Sequence, residues 1–178
     1  MRAICFGRIN VQNAGTPVHM GVSILNGSVT SADQSLTVNS ATPFTQDMCP
    51  FKATIDSEII MVQSLSGTTF TSIKRGIEGT TPTSHLNGAG VSAMFKVFGW
   101  QIGPVAGLTG KQYWGSARNL IPGSTGVIYE FVPKSTTASV GNDSIQFVPG
   151  PANCLNLTDY AMDVTNSGDG LYVTLWSE

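Results

Sequence analysis

Phe51-Lys52-Ala53-Thr54-Ile55-Asp56-Ser57-Glu58-Ile59-Ile60-Met61-Val62 runs into Ser66-Gly67-Thr68-Thr69-Phe70-Thr71, and then into Lys74-Arg75-Gly76-Ile77-Glu78-Gly79-Thr80-Thr81-Pro82-Thr83-Ser84-His85. The stretch closes on Gly88-Ala89-Gly90-Val91. Two β-rich runs meet at a Ser-Gly turn, and Arg75-Gly76 and Glu78-Gly79 then supply backbone positions free to take positive φ. From Ile59 to Val62 the apolar residues fall on both faces, so this strand is expected to be buried on both sides. No window of eleven residues holds a helical stripe uninterrupted by Gly, Pro or β-branched residues.

The same texture extends outward in both directions. Strands are expected at Ala3–Asn10, Met20–Leu25, Ser35–Val38, Phe51–Ser64, Thr69–Lys74, Val91–Phe98, Gln112–Ala117, Gly126–Val132, Ser144–Phe147, Ala161–Val164 and Leu171–Trp176. Turn chemistry separates them at Asn26-Gly27, Pro122-Gly123, Gly141-Asn142 and Asp169-Gly170, the Asn-Gly and Asp-Gly pairs suiting hairpins. Short strands at this spacing make an all-β chain, and one short helical turn is expected near Thr158–Met162. The uncharged, four-glycine stretch Gly99–Gly110 reads as a connection. It would divide a small barrel or sandwich over residues 1–98, carrying the 51–91 stretch, from a jelly-roll or immunoglobulin-like sandwich over 111–178. The alternative is a long loop inside one sandwich.

Composition narrows the function classes. Of 178 residues only 11% are charged, about half the usual share, while there are 18 Ser, 19 Thr and 20 Gly. From Ile9 to Ala32 there is no charged residue at all. A net charge of −2 provides no basic field for nucleic acid and no polybasic face for a membrane. Charge-poor surface is what interface cores have. The two arginines of Met1–Arg8 are followed by no long apolar run, so no signal peptide is expected, and Asn142-Asp143-Ser144 and Asn156-Leu157-Thr158 are chance matches to a glycosylation pattern. Cys5, Cys49 and Cys154 show no paired spacing and read as reduced, mostly buried thiols.

The long stretch resembles a module that recurs in virion proteins of tailed bacteriophages. Its pattern is an I-D-x-E-x-M-x-V strand, an S-G-T-T-x-T hairpin, an R-G-x-E-G-T-T loop and a following H-x-x-G-A-x-V. The match here is Ile55-Asp56-Ser57-Glu58, Met61 one residue late, Val62, Ser66-Gly67-Thr68-Thr69, Arg75-Gly76-Ile77-Glu78-Gly79-Thr80-Thr81, His85 and Gly88-Ala89. The resemblance covers about a quarter of the chain. It implies a non-enzymatic virion component assembled in the host cytoplasm, with a head decoration or cement role expected first. Its partners would be the major capsid protein or other virion subunits and further copies of the chain, a trimer being the first expectation. The alternative is a tail, baseplate or fibre protein with a receptor- or glycan-binding sandwich.

No catalytic, cofactor or metal residue is assigned. His19 and His85 are the only histidines. His85 beside Ser84, with Asp56 and Glu58 earlier, has the residue types of a hydrolytic set, but the simpler reading is that His85 and Arg75 brace the glycine loop and pair with the carboxylates. Gly88-Ala89-Gly90 lacks the third glycine of a nucleotide loop. Asp159, Asp163 and Asp169, with Asn153, Asn156 and Asn166, are oxygen donors for calcium without EF-hand spacing. Trp100, Trp114 and Trp176, with Tyr113, Tyr129, Tyr160 and Tyr172, are the residues a sugar-binding face would use, although aromatics in strands are usually core.

Overall fold

A computed structural model of the chain describes residues 2–104, 110–121, 127–131, 145–147 and 155–177. The chain opens with β1 (Arg2–Asn10) and β2 (Val18–His19). It continues with β3 (Val22–Ile24), β4 (Leu36–Thr37), β5 (Phe51–Ile55), β6 (Glu58–Val62), β7 (Ser64–Ser66), β8 (Thr69–Thr71) and β9 (Gly90–Met94). Then come β10 (Lys96–Val97), β11 (Gly99–Pro104), β12 (Gln112–Ser116), β13 (Val127–Phe131), β14 (Ile145–Phe147), β15 (Leu155–Asn156), β16 (Tyr160–Val164) and β17 (Gly170–Ser177). The expected helical turn is a single 3-10 turn at Leu157–Asp159. The protein is all-β, every strand pairing among the described residues being antiparallel.

The division into units differs from the one read in the sequence. Met1–Met20 and Lys96–Glu178 form one unit and Gly21–Phe95 the other. The physical reason lies in two pairings that span the chain: β1 runs along β17 from Arg2↔Ser177 to Asn10↔Gly170, and β2 joins β16 at Ala161↔His19. The glycine-rich stretch read as a connection is, in its first half, the strand β11, inserted between β17 and β14. Gly99 lies opposite Trp176 and Gly103 opposite Tyr172, so both glycines are strand residues paired with large aromatic ones. Residues 105–109, with the expected turns at Pro122-Gly123 and Gly141-Asn142, lie outside the described residues.

In the first unit, one sheet has the order β1-β17-β11-β14 and another β13-β12-β16-β2. Strand alternation is clean in β17, where Leu171, Val173 and Leu175 are buried and Tyr172 is exposed. β12 and β16 are instead buried on both faces. Asp169-Gly170, read as a hairpin, leads from β16 in one sheet to β17 in the other. Gly170 lies so close to Ile9 that a Cβ there would overlap the Ile9 carbonyl.

In the Gly21–Phe95 unit, the sheet β3-β9-β5-β6 accompanies a smaller sheet β4-β8-β7. Phe51 of β5 and Phe70 of β8 meet edge-to-face with centroids 5.7 Å apart, and Phe44 completes the trio at 5.0 Å from Phe70. The run Phe51–Ser64 is broken by a two-residue turn at Asp56-Ser57, with Asp56 at φ 51° and Ile55 opposite Glu58. The expectation of double burial for Ile59–Val62 does not hold: Ile60 and Val62 are fully buried, while Ile59 and Met61 are only part-buried on the opposite face. The edge of β6 is closed by the following loop, through Ile77 N–H to the Ile59 carbonyl and paired bonds between Met61 and Lys74.

The thiols also differ from expectation. Cys5 is exposed, because strand alternation that turns Ile4 inward turns Cys5 outward; Cys49 is part-buried, and Cys154 lies outside the described residues.

Candidate functional site

Glu58 begins β6 on its inward-facing register, so its carboxylate enters the core of the Gly21–Phe95 unit beside Ile60 and Val62. A lone charge there would be very costly, and the sequence surrounds it with donors. Arg75 Nε donates to Oε1 at 2.7 Å and Arg75 Nη2 to Oε2 at 2.8 Å. The backbone N–H of Gly76 donates to Oε1 and that of Thr83 to Oε2, both at 3.0 Å. His85 Nε2 lies 2.9 Å from Oε2. Burial opposes the ionised form of Glu58, but the bonds from Arg75, Thr83, His85 and Gly76 outweigh it and hold the pKa down at about 2.

Arg75 has partners beyond Glu58. Its Nη1 donates to the carbonyls of Thr30 at 2.7 Å and Asp33 at 3.2 Å, and its Nη2 to the Thr83 carbonyl at 2.6 Å. One guanidinium thus ties the 30–33 loop, the 75–76 turn and the 83–85 segment to the start of β6, as its rigid fork of five N–H groups permits. Thr30 N–H in turn donates to Asp33 Oδ2, lowering the Asp33 pKa. His85 pairs its backbone with Val29 in both directions at 2.9 Å. Gly76 makes the approach work: it sits at φ 58° with Pro82 packed where a Cβ would be. Thr80 Oγ1 accepts from Ile59 N–H and donates to the Ile77 carbonyl, and Lys52 pairs with Glu78.

The four residues the sequence singled out, Asp56, Glu58, Arg75 and His85, are therefore brought together. The ring of His85 has Asp56 Oδ2 at 2.7 Å from Nδ1 and Glu58 Oε2 at 2.9 Å from Nε2. Thr83 Oγ1 approaches Nε2 at 3.5 Å, and Ser84 is outside the set and exposed. Hydroxyl, imidazole and carboxylate occur in the order of a hydrolytic set, but both ring nitrogens already face carboxylate oxygens. The ring is thus held between Asp56 and Glu58, and the cluster binds the loops together. His19 is exposed on β2 in the other unit.

The remaining candidates disperse. Asp159 is exposed, and its carbonyl accepts from Ala117. Asp163 is buried, its Oδ1 taking N–H bonds from Gly15 at 3.0 Å and Val164 at 2.7 Å. Asp169 Oδ2 accepts from Gly110 N–H at 2.8 Å. The carboxylates of Asp163 and Asp169 thus serve different pieces of backbone, and Asp159 takes part through its main-chain carbonyl. Asn156 and Asn166 lie beside the 3-10 turn and in the β16–β17 turn, and Asn153 is outside the described residues. Among the described residues no three His, Cys, Asp or Glu side chains converge as a metal site.

Four of the seven aromatics are core. Trp100 and Trp114 pack with centroids 6.2 Å apart, and Trp114 stacks on Tyr160 at 5.4 Å, joining side chains from β11, β12 and β16. Tyr113 is buried with Leu120 and Ala161. Trp176 is half-buried, Tyr172 is 51% exposed, and the Tyr129 side chain is outside what the structure describes. A sugar platform built on Trp100 or Trp114 is not available at the surface.

What sequence reasoning missed is the reach of Arg75 to the 30–33 loop and the part of Thr83, both made largely through backbone groups. No known family model matches the chain, and no curated protein matches it.

Proposed function

We propose that this chain is a non-enzymatic structural subunit of a tailed-phage virion, acting on the head as a decoration or cement protein. The observation that carries this reading is the closure of the Asp56–Glu58–Arg75–His85 cluster. Four of the residues through which the chain resembles the phage module, Asp56, Glu58, Arg75 and His85, are engaged with one another in locking its loops. Function then falls to surfaces, and this chain's are poor in charge, with 11% charged residues. Such faces lose little on desolvation when they are laid across neighbouring subunits.

The mechanism is additive burial. A stiff β subunit covers joints between capsid subunits, and modest interfaces repeated over the head resist outward pressure together. The test is incubation of purified protein with purified heads, followed by sedimentation and gold-antibody microscopy of intact particles. Label spread over the head lattice at saturable stoichiometry is the expected result. Label confined to a vertex or the tail would move the chain to the tail or baseplate reading, and no label with an accessible epitope would end the virion reading.

A further inference from the structure

The chain contains two Asn-Gly pairs, Asn26-Gly27 and Asn87-Gly88, and the fold of the Gly21–Phe95 unit sets them in adjacent turns. All four residues are exposed. Both glycines have positive φ, 106° and 86°, and a Cβ built on either meets nothing within 4 Å, so nothing stands over the turns. The pairs differ in what holds the glycine nitrogen. Gly88 N–H donates to the main-chain carbonyl of the fully buried Leu25 at 3.0 Å, and Leu25 N–H returns a bond to the Ala89 carbonyl at 2.9 Å. Gly27 N–H donates instead to the exposed side chain of Asn87, at 2.8 Å to Oδ1. An N–H needs an acceptor, so it is the oxygen of that amide that faces Gly27. Asn87 N–H in turn donates to Ser28 Oγ at 3.1 Å, also at the surface. One nitrogen is anchored by paired main chain and the other by a surface side chain, which opens at lower cost.

We infer that Asn26 is a site of spontaneous covalent modification, deamidation through a cyclic imide, and that Asn87 sets its rate. The nucleophile is the Gly27 nitrogen, which attacks once hydroxide has taken its proton, so its bond to Asn87 must open first. The bond from Gly27 N to Asn26 Cγ forms, the Cγ–Nδ2 bond breaks, and the side-chain nitrogen leaves as ammonia. Water then opens the imide at either carbonyl, leaving aspartate or isoaspartate at position 26. Glycine permits the ring to close because no side chain hinders the approach of its nitrogen. Asn87-Gly88 carries the same chemistry in its sequence, but its nucleophile is held by the Leu25 carbonyl and reacts later. The product changes the surface. Ile9 to Ala32 holds no charged residue, so the reaction places the first carboxylate there. Isoaspartate also adds a methylene to the main chain beside the bond from Asn26 N–H to the Thr37 carbonyl. None of this depends on the virion proposal.

The test is incubation of the folded full chain in mildly alkaline buffer, followed by peptide mapping with mass spectrometry and by amide hydrogen exchange. Asn26 is expected to convert well before Asn87, and Gly27 N–H to exchange faster than Gly88 N–H, since both processes begin with loss of the same proton. In the urea-unfolded chain the two sites are expected to convert alike. Asn87→Ala removes the acceptor and is expected to speed conversion at Asn26 by about two- to tenfold, the net worth of one hydrogen bond, with Gly88 exchange unchanged. Asn87→Asp keeps an acceptor oxygen and adds a charge that opposes deprotonation, so conversion at Asn26 is expected at or below the wild-type rate. If Asn87→Ala also loosens the Gly88 bond, Asn87→Asp decides alone, and faster conversion there overturns the inference. It is equally overturned if Asn87 converts as fast as Asn26 in the folded chain, if the difference persists in urea, or if Asn87→Ala leaves the Asn26 rate unchanged.

Discussion

Glu58 and Arg75 meet through two parallel hydrogen bonds, 2.7 and 2.8 Å long, inside the Gly21–Phe95 unit, with both side chains nearly out of reach of water. Because the pair is buried, breaking it leaves an uncompensated charge. Glu58→Ala and Arg75→Ala are each expected to cost about 3–5 kcal/mol, and Arg75→Lys, which keeps the charge and loses the fork, somewhat less. Urea denaturation followed by tryptophan-independent circular dichroism measures this. A loss under about 1 kcal/mol for both alanine variants would mean that the cluster is not what holds the loops.

The same carboxylate dictates an acid limb in stability. Its pKa is about 2 in the folded chain against 4.5 for the ordinary carboxyl, so between these values the unfolded state binds the proton and the native state does not. The stabilisation is complete above about pH 4.5 and is lost as pH falls towards 2. One group contributes about 3 kcal/mol over that window. The urea midpoint should fall steeply from pH 4.5 to 2, and Glu58→Gln should flatten that fall. An equal slope in wild type and variant would remove Glu58 as its cause.

Arg75-Gly76 shows why a glycine of the loop is irreplaceable at one place and tolerable at another. Gly76 combines φ 58° with Pro82 packed into the space of a Cβ, while Gly67 has φ 56° with nothing within 4 Å. Gly67→Ala should therefore cost about 1 kcal/mol, the left-handed backbone alone, and Gly76→Ala at least about 2 kcal/mol more, since the loop must also move off Pro82. Thermal unfolding of the two variants side by side gives the difference directly. Equal losses would show that Pro82 yields freely.

The period-two pattern and turn residues made the all-β class legible, because strand alternation is a local property that Leu171, Val173 and Leu175 display without reference to anything distant. The bracing cluster was legible for a similar reason: a Glu, an Arg and a His beside glycines in one stretch have few inexpensive arrangements other than with one another. Unit boundaries were not. Nothing within Arg2–Asn10 says that its partner lies at Gly170–Ser177, since a strand's pattern states which face is buried and not which strand is beside it. Gly99 and Gly103 misled in the same way. Glycine density reads as loop until Trp176 and Tyr172 are seen opposite, although the alternation of buried Trp100 and Ile102 with Gln101 was already that of a strand. Ile59-Ile60-Met61-Val62 suggested double burial because apolarity alone cannot distinguish a core face from an outward face that remains apolar.

These chain-spanning pairings give the two units different fates on cutting. Residues 21–95 hold both of their sheets, the Phe44–Phe51–Phe70 trio and all four members of the bracing cluster, and among the described residues no strand pairing leaves the segment. Expressed alone, the segment should fold, with a cooperative urea transition and dispersed amide resonances, though with the small margin usual at this size. Removing residues 1–20 from the full chain should act oppositely on the other unit: β17 loses the neighbour that runs along its whole length, and β16 loses β2. The bared strand leaves a row of unpaired backbone groups, so the truncated protein should aggregate while retaining the signature of the 21–95 segment. A two-transition melt of the full chain, with the upper or lower step matching the isolated segment, would complete the assignment. A 21–95 fragment that is unfolded in buffer, yet folds when residues 96–177 are restored, would show that the segment is not an independent unit.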